Sequence, residues 1–415
     1  MNRYIQNIKI NQIYHLHGID IPIIDDNHPH LMITGKNGSG KTSVLRAVAD
    51  FLDKIMDDIK KYTFQYRGWL ENAKNSLKEN TDPTKALELQ VRVKEAEKFV
   101  TEQFGMVDLH FSNINELIYK FQEGKFIIAF YQADRKVTIN EPENPTKPSI
   151  KDKWNVKEMA TQEFLNFLSD LKIQEALARN ENLYEDADVI NQWFQDFEGL
   201  LQKVFQDEQL RLMFNYKDYS FKIETEGKSF KFTEMSDGFA AVLDIIVDLI
   251  LKMQEKESIT KLYEQEGIVL IDEIETHLHL ELQKMIMPLL TQIFPNIQFI
   301  VTTHSPFVLN SLNTAVAFDL EHQKAIENLT EFSYEALAEG YFGVRTVSSY
   351  MEMQLGLLKS LLQKESLTEA ERIKAKDLIA DFDKIPEPAS PTVVGQFLQI
   401  KIDNIEKIRN ILGND

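Results

Sequence analysis

The eight residues from Gly35 to Thr42 combine glycines, a lysine and a threonine at a spacing suited to holding phosphate. They read Gly35-Lys36-Asn37-Gly38-Ser39-Gly40-Lys41-Thr42 and fit the pattern G-x-x-x-x-G-K-[ST], with Ser43 following. Glycines let successive backbone N–H groups point at phosphate oxygens, helped by the positive end of the helix that starts at the loop. We expect Lys41 to reach the β- and γ-phosphates of a nucleotide and the Thr42 hydroxyl to ligate Mg²⁺.

Two acidic residues follow an apolar run further along the chain. Ile268–Ile271 is typical of a buried parallel strand and is followed at once by Asp272 and Glu273. An α/β sheet binds ligands at the carboxyl ends of its strands, so these acids should lie near the phosphate loop. We expect Asp272 to hold the magnesium shell and Glu273 to act as general base on the attacking water.

Two further segments complete the set of residues that could do chemistry. A second apolar run, Ile297–Thr303, ends at His304-Ser305-Pro306, and this position favours a histidine that senses the γ-phosphate over a plain polar cap. Ser236 and Gly238 precede an apolar helix predicted over Ala240–Leu251. We expect Ser236 to cap that helix and Gly238 to allow close approach of a phosphate, which would make a second anion site.

The elements around these motifs predict an α/β protein with a mixed sheet. Predicted strands and helices are as follows: strands at Tyr4–Ile10, Ile21–Ile24, Leu31–Thr34, Val107–Phe111, Lys125–Tyr131, Leu210–Phe214 and Ser220–Glu224, and helices at Thr42 to about Leu52, within 157–207, at Glu369–Phe382 and at Val393–Leu412. The chain should turn helical beyond Leu320. Trp69–Phe104 is either an inserted helical hairpin or two packed helices of the same lobe.

Composition restricts the setting of this chemistry. The chain has 415 residues, a net charge of −19 and no cysteine, so cysteine-held metals and disulfides are excluded. The apolar run Phe239–Met253 carries Asp244 and Asp248 and favours a buried helix over a membrane span. We therefore expect a cytoplasmic protein with no membrane contact. Basic clusters at Lys54–Lys61 and Lys151–Lys157 are mixed with acids and favour solvated faces, although nucleic acid remains a candidate partner.

The order of these motifs resembles an ABC-type ATPase of the SMC, RecF and OLD group. Asp272-Glu-Ile-Glu-Thr-His-Leu-His279 is similar to that group's D-E-x-E-x-x-L-H, and Thr302–Pro306 to its switch histidine. The resemblance implies a head-to-tail dimer, or a higher oligomer, with ATP and Mg²⁺ between the phosphate loop of one chain and Ser236 and Gly238 of another. It also implies that Gln132 senses magnesium and that Glu275–His277 lies at the dimer seam.

Parts of the sequence depart from this group or narrow the choice within it. Met235 and Phe239 differ from the common L-S-x-G-[QE] signature, and 195 residues from Lys41 to Ser236 are too few for a long coiled-coil arm. The 111 residues after His304 are mostly helical, so we expect no Toprim nuclease, with Asp381 and Asp383 as surface charge. His277 and His279 lack a third ligand in sequence and should make polar contacts instead of binding metal.

The segment Phe332–Arg345 resembles compact bacterial ATPases in two-gene anti-phage systems such as Septu and PARIS. We expect an ATPase domain over residues 1–330, with a helical hairpin at about 69–104 and a helical lobe at about 157–207 and 239–253. A helical C-terminal region should cover residues 331–415. That region either docks a separate effector nuclease or toxin or caps the ATPase. The alternatives are a RecF-like repair ATPase that clamps DNA and, least favoured, a transporter subunit.

Overall fold

The computed structural model describes residues 5–23, 30–56, 61–79, 82–111, 113–135, 139, 141, 144, 146–254, 265–326, 329, 332–342, 348–386 and 391–413. The chain forms two compact units, Met1–Leu337 and Ala338–Asp415. Some residues of the sequence predictions lie outside the described residues: Tyr4, Ile24, residues 57–60 of the first basic cluster and residues 343–345 of the segment that ends at Arg345.

The first unit contains strands and helices that alternate along the chain. Its strands are β1 (Ile5–Ile13), β2 (Leu16–Pro22), β3 (His30–Thr34), β4 (Val107–Phe111), β5 (Phe126–Tyr131), β6 (Arg211–Asn215), β7 (Ser220–Thr225), β8 (Lys228–Lys231), β9 (Glu266–Ile271), β10 (Ile297–Thr302), β11 (Ala315–Asp319) and β12 (Lys324–Ile326). Its helices are α1 (Lys41–Met56), α2 (Lys61–Glu79), α3 (Pro83–Phe104), α4 (Ile114–Gln122), α5 (Phe164–Asn180), α6 (Tyr184–Phe205), α7 (Asp237–Lys252), α8 (Leu280–Ile293) and α9 (Pro306–Leu309), and α10 (Tyr334–Phe342) begins in it.

A six-stranded sheet forms the centre of this unit. Its order is β12-β11-β3-β10-β9-β5, and all neighbours are parallel except β12, which runs antiparallel at one edge. Every residue of β3, β5 and β10 is buried. Continuous apolar strands of this kind are what a parallel sheet requires. The class predicted from the sequence, an α/β fold with a mixed sheet, is confirmed.

Helix α1 packs between this sheet and a smaller one. It contacts β9 and β10 on one side and β1 and β4 on the other, where the order is β2-β1-β4 and all pairing is antiparallel. The two sheets are also joined directly by the Gln298 side chain, which accepts from the Ile5 N–H at 2.8 Å and donates to the Ile5 carbonyl at 3.0 Å. This buried amide fixes the N-terminal strand against β10.

Helix α7 is the most deeply buried helix of the helical lobe. It contacts α5, α6 and α8, and nearly all of its residues are buried, including Asp244 and Asp248. A helix that is apolar all round belongs in a protein interior. The antiparallel sheet β6-β7-β8 packs beside α6 and completes the lobe. In the described part of the chain, no helix combines the length and the apolar character that a bilayer crossing requires.

The second unit contains four helices after the end of α10. They are α11 (Ser349–Gln363), α12 (Glu369–Asp383), α13 (Pro391–Asp403) and α14 (Ile405–Leu412). Their buried side chains, among them Leu358, Leu362, Ile379, Val393 and Phe397, pack into one apolar cluster. Thr368 and Glu371 form a capping box at the start of α12.

Several details differ from the sequence predictions. Beyond Leu320 the chain does not turn helical at once, because Lys324–Ile326 pairs with β11 as an edge strand. The predicted last helix, Val393–Leu412, is two helices that break at Asn404, whose side chain donates to the Ile400 carbonyl at 3.0 Å. Asparagine side chains compete with the backbone for such bonds and favour helix ends. The predicted helical pair at Trp69–Phe104 forms as α2 and α3, joined by the ion pair between Lys74 and Glu97.

We expect His30 to make the stability of the fold depend on pH. Burial lowers the pKa of His30 to about 4 from its ordinary 6.5, so the unfolded chain binds a proton more readily than the folded one. This contribution to stability is complete above pH 6.5 and is lost as the pH falls through 6.5 toward 4. The His30 ring accepts a hydrogen bond from the Phe299 N–H at 3.2 Å. His30→Gln keeps an acceptor for this N–H, but the glutamine does not titrate.

The measurement is the free energy of unfolding in urea at about pH 7.5 and about pH 5. The loss on acidification should be smaller in His30→Gln than in the wild type, and the same pH dependence in both proteins would contradict the prediction.

Candidate functional site

The segments predicted to do chemistry follow four adjacent strands at one edge of the six-stranded sheet. The register pairs Ile33 with Thr302, Val301 with Ile271, and Ile271 with Tyr131. The phosphate loop, His304, Asp272 and Gln132 therefore follow β3, β10, β9 and β5 in spatial order. The structure brings these predicted site residues to one place although they are far apart in the chain.

Three glycines give the phosphate loop its shape. Gly35, Gly38 and Gly40 have φ of +136°, +83° and +98°, a region that side-chain-bearing residues rarely adopt. A Cβ at Gly40 would come within 2.8 Å of the Leu16 side chain, so this position also lacks room. Helix α1 begins directly after the loop at Lys41, which directs its N-terminal amides toward the same space.

Lys41 is folded back onto its own loop. Its Nζ donates to the carbonyls of Gly35 at 2.8 Å and Lys36 at 3.1 Å, and the residue is buried. Burial lowers the pKa of Lys41 to about 8, although the acids Glu273, Glu275 and Asp272 oppose that shift. The ammonium group thus lies among the carboxylates of the site and remains mostly charged at neutral pH.

Asp272 joins three elements through one carboxylate oxygen. Its Oδ1 accepts from the hydroxyls of Thr42 at 3.1 Å and Thr302 at 2.6 Å. Among the described residues, no group hydrogen-bonds to its Oδ2, which is buried, nor to the buried Oγ of Ser39. A carboxylate and a threonine hydroxyl are the oxygen ligands that Mg²⁺ prefers, so these residues fit a magnesium ion with a nucleotide.

The turn after β9 carries the two glutamates. Glu273 has a φ of +45°, and its N–H donates to the Thr302 hydroxyl at 2.8 Å. A positive φ in a residue other than glycine is uncommon and is held in place by such contacts. Glu275 accepts from the His304 N–H at 2.5 Å. Burial raises the pKa of Glu275, and the bonds from His304 and Thr303 only partly offset it.

His304 and Gln132 stand on either side of Asp272. Burial, followed by the positive charge of Lys41, lowers the pKa of His304, so its ring is neutral at pH 7. The register places Gln132 next to Asp272, and its carbonyl accepts from Arg135 at 3.4 Å. Of the remaining loop residues, Asn37 is exposed and Ser43 is half-buried.

Ser236 and Gly238 stand at the start of α7, as predicted, but one detail of that prediction is wrong. Ser236 occupies the N-cap position, yet its exposed side chain makes no capping hydrogen bond. A Cβ at Gly238 would lie 3.1 Å from the His277 carbonyl, so the glycine lets α7 pack against the turn after β9. In the described part of the chain, no hydrogen bond joins Ser236 or Gly238 to the phosphate loop.

The two histidines after Glu275 have separate environments. His277 is exposed with a φ of +68°, and His279 caps α8 by accepting from the Leu282 N–H at 3.5 Å. Elsewhere, Lys157 of the second basic cluster pairs with Asp50 at 2.8 Å. Across the described ranges, His, Asp and Glu side chains form no group of three that could hold a metal ion.

Sequence reasoning assigned no role to Arg135. Its guanidinium donates to the carbonyls of Asp272 at 3.3 Å and Ile274 at 3.4 Å, so it touches the turn that carries Glu273. The only signal in the sequence is a basic residue four positions after the end of a predicted strand. That signal gains meaning only when β5 is known to lie beside β9.

Comparison with known proteins gives a match to an AAA domain and to two proteins of known systems. Residues 125–310 match a family model described as "AAA domain, putative AbiEii toxin, Type IV TA system". The chain is 24% identical to Septu protein PtuA of Bacillus mycoides (strain KBAB4) over 414 residues, which cover 92% of this chain and 51% of that protein. It is 39% identical over 94 residues to the Retron Ec83 probable ATPase of Escherichia coli, covering 22% of this chain and 17% of that protein.

Among solved structures, one match is the Smc head bound to the C-winged helix domain of ScpA, with a TM-score of 0.40 and 12% identity over 79% of this chain and 100% of that one. The chain spans about half the length of PtuA and less than a fifth of the retron protein. The predicted resemblance to an ATPase of the Septu kind is confirmed by the similarities to Septu protein PtuA and to the Retron Ec83 probable ATPase.

We expect the Thr302 hydroxyl to contribute to the stability of this site. Thr302→Val keeps the shape of the side chain but removes the bonds to Asp272 and to the Glu273 N–H. Leaving such buried groups without partners costs about 1–3 kcal/mol, so the free energy of unfolding should fall by that amount in urea denaturation. Thr302→Ser keeps the hydroxyl and is the matched control. Equal stability of the valine variant and the wild type would show that the bonds are not needed.

Proposed function

We propose that this chain binds ATP with magnesium and hydrolyses it to ADP and phosphate. The observation that carries the proposal is the placement of Lys41, Thr42, Asp272, Glu273 and His304 together at the carboxyl edge of the parallel sheet, around a glycine loop that opens a helix. The AAA family match, which includes β9 and β10, supports the same chemistry.

The loop and Lys41 would bind the phosphates. Lys41 donates to two carbonyls of its own loop. Phosphate oxygens can replace these two acceptors, so the ammonium group keeps hydrogen-bond acceptors when a nucleotide binds. Thr42 and Asp272, with Gln132 beside them, would hold the magnesium ion. When bound, that ion draws negative charge from the phosphate oxygens.

Glu273 is the residue we assign as general base. It directly follows Asp272, and the Thr302 hydroxyl holds its backbone in the left-handed conformation. A carboxylate at this position can accept a proton from a water molecule as that water attacks the terminal phosphate. His304 lies near Lys41, and its ring is neutral. The ring can therefore donate a hydrogen bond to the same phosphate without adding a positive charge to the site.

The second anion site would act on the nucleotide of another copy. The Ser236 hydroxyl is exposed and does not bond to its own helix, so it is available to an external partner. The start of a 16-residue helix adds positive potential there. Two copies facing head to tail would then share two composite sites, each with Lys41 from one chain and Ser236 from the other.

The physiological role that we propose is control of a separate effector, a nuclease or a toxin, in defence against phage. The similarity to Septu protein PtuA over 92% of this chain supports that role. The C-terminal unit would dock the effector, since its four helices have a core of their own. Direct clamping of DNA is less favoured, because the net charge of −19 opposes binding to a polyanion.

Single substitutions should separate ATP binding from hydrolysis. Lys41→Ala removes the cation that meets the phosphates, so binding of a fluorescent ATP analogue should be lost. Glu273→Gln keeps the shape but cannot take a proton, so binding should persist while phosphate release falls by about a hundredfold or more. Normal turnover in Glu273→Gln would exclude Glu273 as the base.

Mixing two inactive variants tests whether the site is shared between chains. Ser236→Arg blocks the second anion site and Lys41→Ala the first, so each variant alone should be inactive. Random pairing leaves one intact site in half of the dimers, and the mixture should recover about a quarter of wild-type turnover. The matched control is a mixture of Lys41→Ala chains and Glu273→Gln chains. Both residues belong to the half of the composite site that carries the phosphate loop, so every pairing leaves both sites defective and the mixture should recover nothing. A first mixture that stays inactive, although its chains associate, would contradict the composite site.

Removal of residues 343–415 tests the role of the C-terminal unit. The cut falls before α11, so it removes the whole apolar cluster of α11–α14 instead of splitting it. We expect ATP turnover to remain within about twofold of wild type while capture of the effector from phage-infected cells is lost, because packed units with their own cores fold separately. A truncated chain that no longer binds ATP would favour the alternative in which these helices cap the ATPase.

A further inference from the structure

The Gln283 side chain of α8 joins two segments of the candidate site. Its Nε2 donates to the Leu278 carbonyl at 2.8 Å, and its Oε1 accepts from the Ser305 hydroxyl at 2.6 Å. Leu278 ends the turn after β9, and Ser305 directly follows His304. One amide therefore bridges the segment that carries Glu273 and the segment that carries His304.

The hydroxyl of Ser305 is saturated at this bridge. While it donates to Gln283, its oxygen accepts from the N–H groups of Phe307 at 3.1 Å and Val308 at 3.3 Å and so caps α9. A hydroxyl has one hydrogen to donate and two lone pairs, and here all three are used. Because Ser305 is also buried, its position is tied to that of Gln283.

His304 is held from its other side by the turn after β9. The Glu275 carboxylate accepts from the His304 N–H at 2.5 Å, and just before it the Ile274 N–H donates to the Thr302 carbonyl at 3.1 Å. These bonds continue the pairing of β9 and β10 beyond the ends of the two strands. The Gln283 bridge extends them past His304, so the histidine lies between two points of attachment to the turn.

The segment after His304 depends on its neighbours for its position. Helix α9 has four residues, and a helix of that length is not stable alone, so it relies on packing against α8. The Gln283 amide adds a polar contact between Ser305 and α8. Without this contact, residues 304–305 can shift away from the turn. The His304 ring then loses its alignment with a phosphate oxygen, because hydrogen bonds weaken steeply in poor geometry.

We infer that Gln283 is a positioning residue that holds His304 where its ring meets the terminal phosphate of ATP. Gln283 acts through Ser305 and does not itself touch the nucleotide. The phosphate loop belongs to other elements, so contacts with the remaining phosphates do not require the bridge. The inference rests on the proposed function, in which His304 donates to the terminal phosphate, and adds a residue that helps the site to distinguish ATP from ADP.

The affinities for ATP and ADP measure this contact without turnover. ADP lacks the terminal phosphate, so a defect in the His304 contact should weaken the binding of ATP alone. The reference chain carries Glu273→Gln, which prevents hydrolysis, and Ser236→Arg, which keeps each nucleotide on one chain. In titration calorimetry with magnesium, adding His304→Ala should raise the Kd for ATP about tenfold or more and leave that for ADP within about twofold.

Gln283→Leu removes both bonds and keeps the approximate size of the side chain. Added to the reference chain, it should raise the Kd for ATP by about threefold or more and leave that for ADP within about twofold. A residue that only supports the fold would weaken both nucleotides alike, so equal weakening, or none, would overturn the inference. Gln292→Leu, which changes an exposed glutamine of the same helix, is the matched control and should alter neither Kd.

Ser305→Ala tests the same bridge from its other end. It should also weaken ATP binding selectively, and the double variant with Gln283→Leu should lose no more than the larger of the two single losses, because both changes break one contact. Losses that add would show that the two residues act separately and would overturn the inference.

The His304→Ala chain separates failure of the inference from failure of the proposed function. If His304→Ala leaves the ratio of the two Kd values unchanged, the role proposed for His304 is wrong and the inference falls with it. If His304→Ala weakens ATP selectively but Gln283→Leu does not, only the inference is contradicted. Urea unfolding of each variant confirms that the chains compared are folded.

Discussion

The buried carboxylate of Asp272 is the interaction on which the rest of the site depends. Through one oxygen it holds the hydroxyls of Thr42 and Thr302, and so it ties the start of α1 to the ends of β9 and β10. Because Thr302 also accepts from the Glu273 N–H, the same contact fixes the backbone of the proposed base. The burial of the parallel strands keeps these ends in register, and the chemistry follows from that register.

Charge within the fold is arranged in pairs that connect elements. Lys41 lies among the acids of the site, Glu275 bonds to the His304 backbone, and Asp248 is shared by Tyr131 and Lys252. Each buried charge would be costly alone, so each contact also restrains where its helix or strand can lie. The helical lobe and the nucleotide edge are connected through such pairs as well as through apolar packing.

The sequence was sufficient for residues whose role is local and insufficient for those that depend on neighbouring strands. Lys41, Asp272 and His304 stand where a loop or a strand end had been predicted, because glycine patterns and apolar runs are read within a few residues. Arg135 and the bond from His304 to Glu275 depend on which strands are adjacent, and no local pattern encodes that order. The free hydroxyl of Ser236 and the helix break at Asn404 follow from side-chain orientation, which composition and spacing do not specify.

The separate apolar core of α11–α14 has an evolutionary consequence. Since these helices bury their apolar side chains against one another, substitutions on their outward faces do not reach the packing that supports the nucleotide site. Exposed Ile402 and Ile405, for example, can be exchanged without altering the sheet that carries Asp272. Lineages can therefore diverge in what this unit recognises while the residues that handle the nucleotide stay under a different and stricter selection.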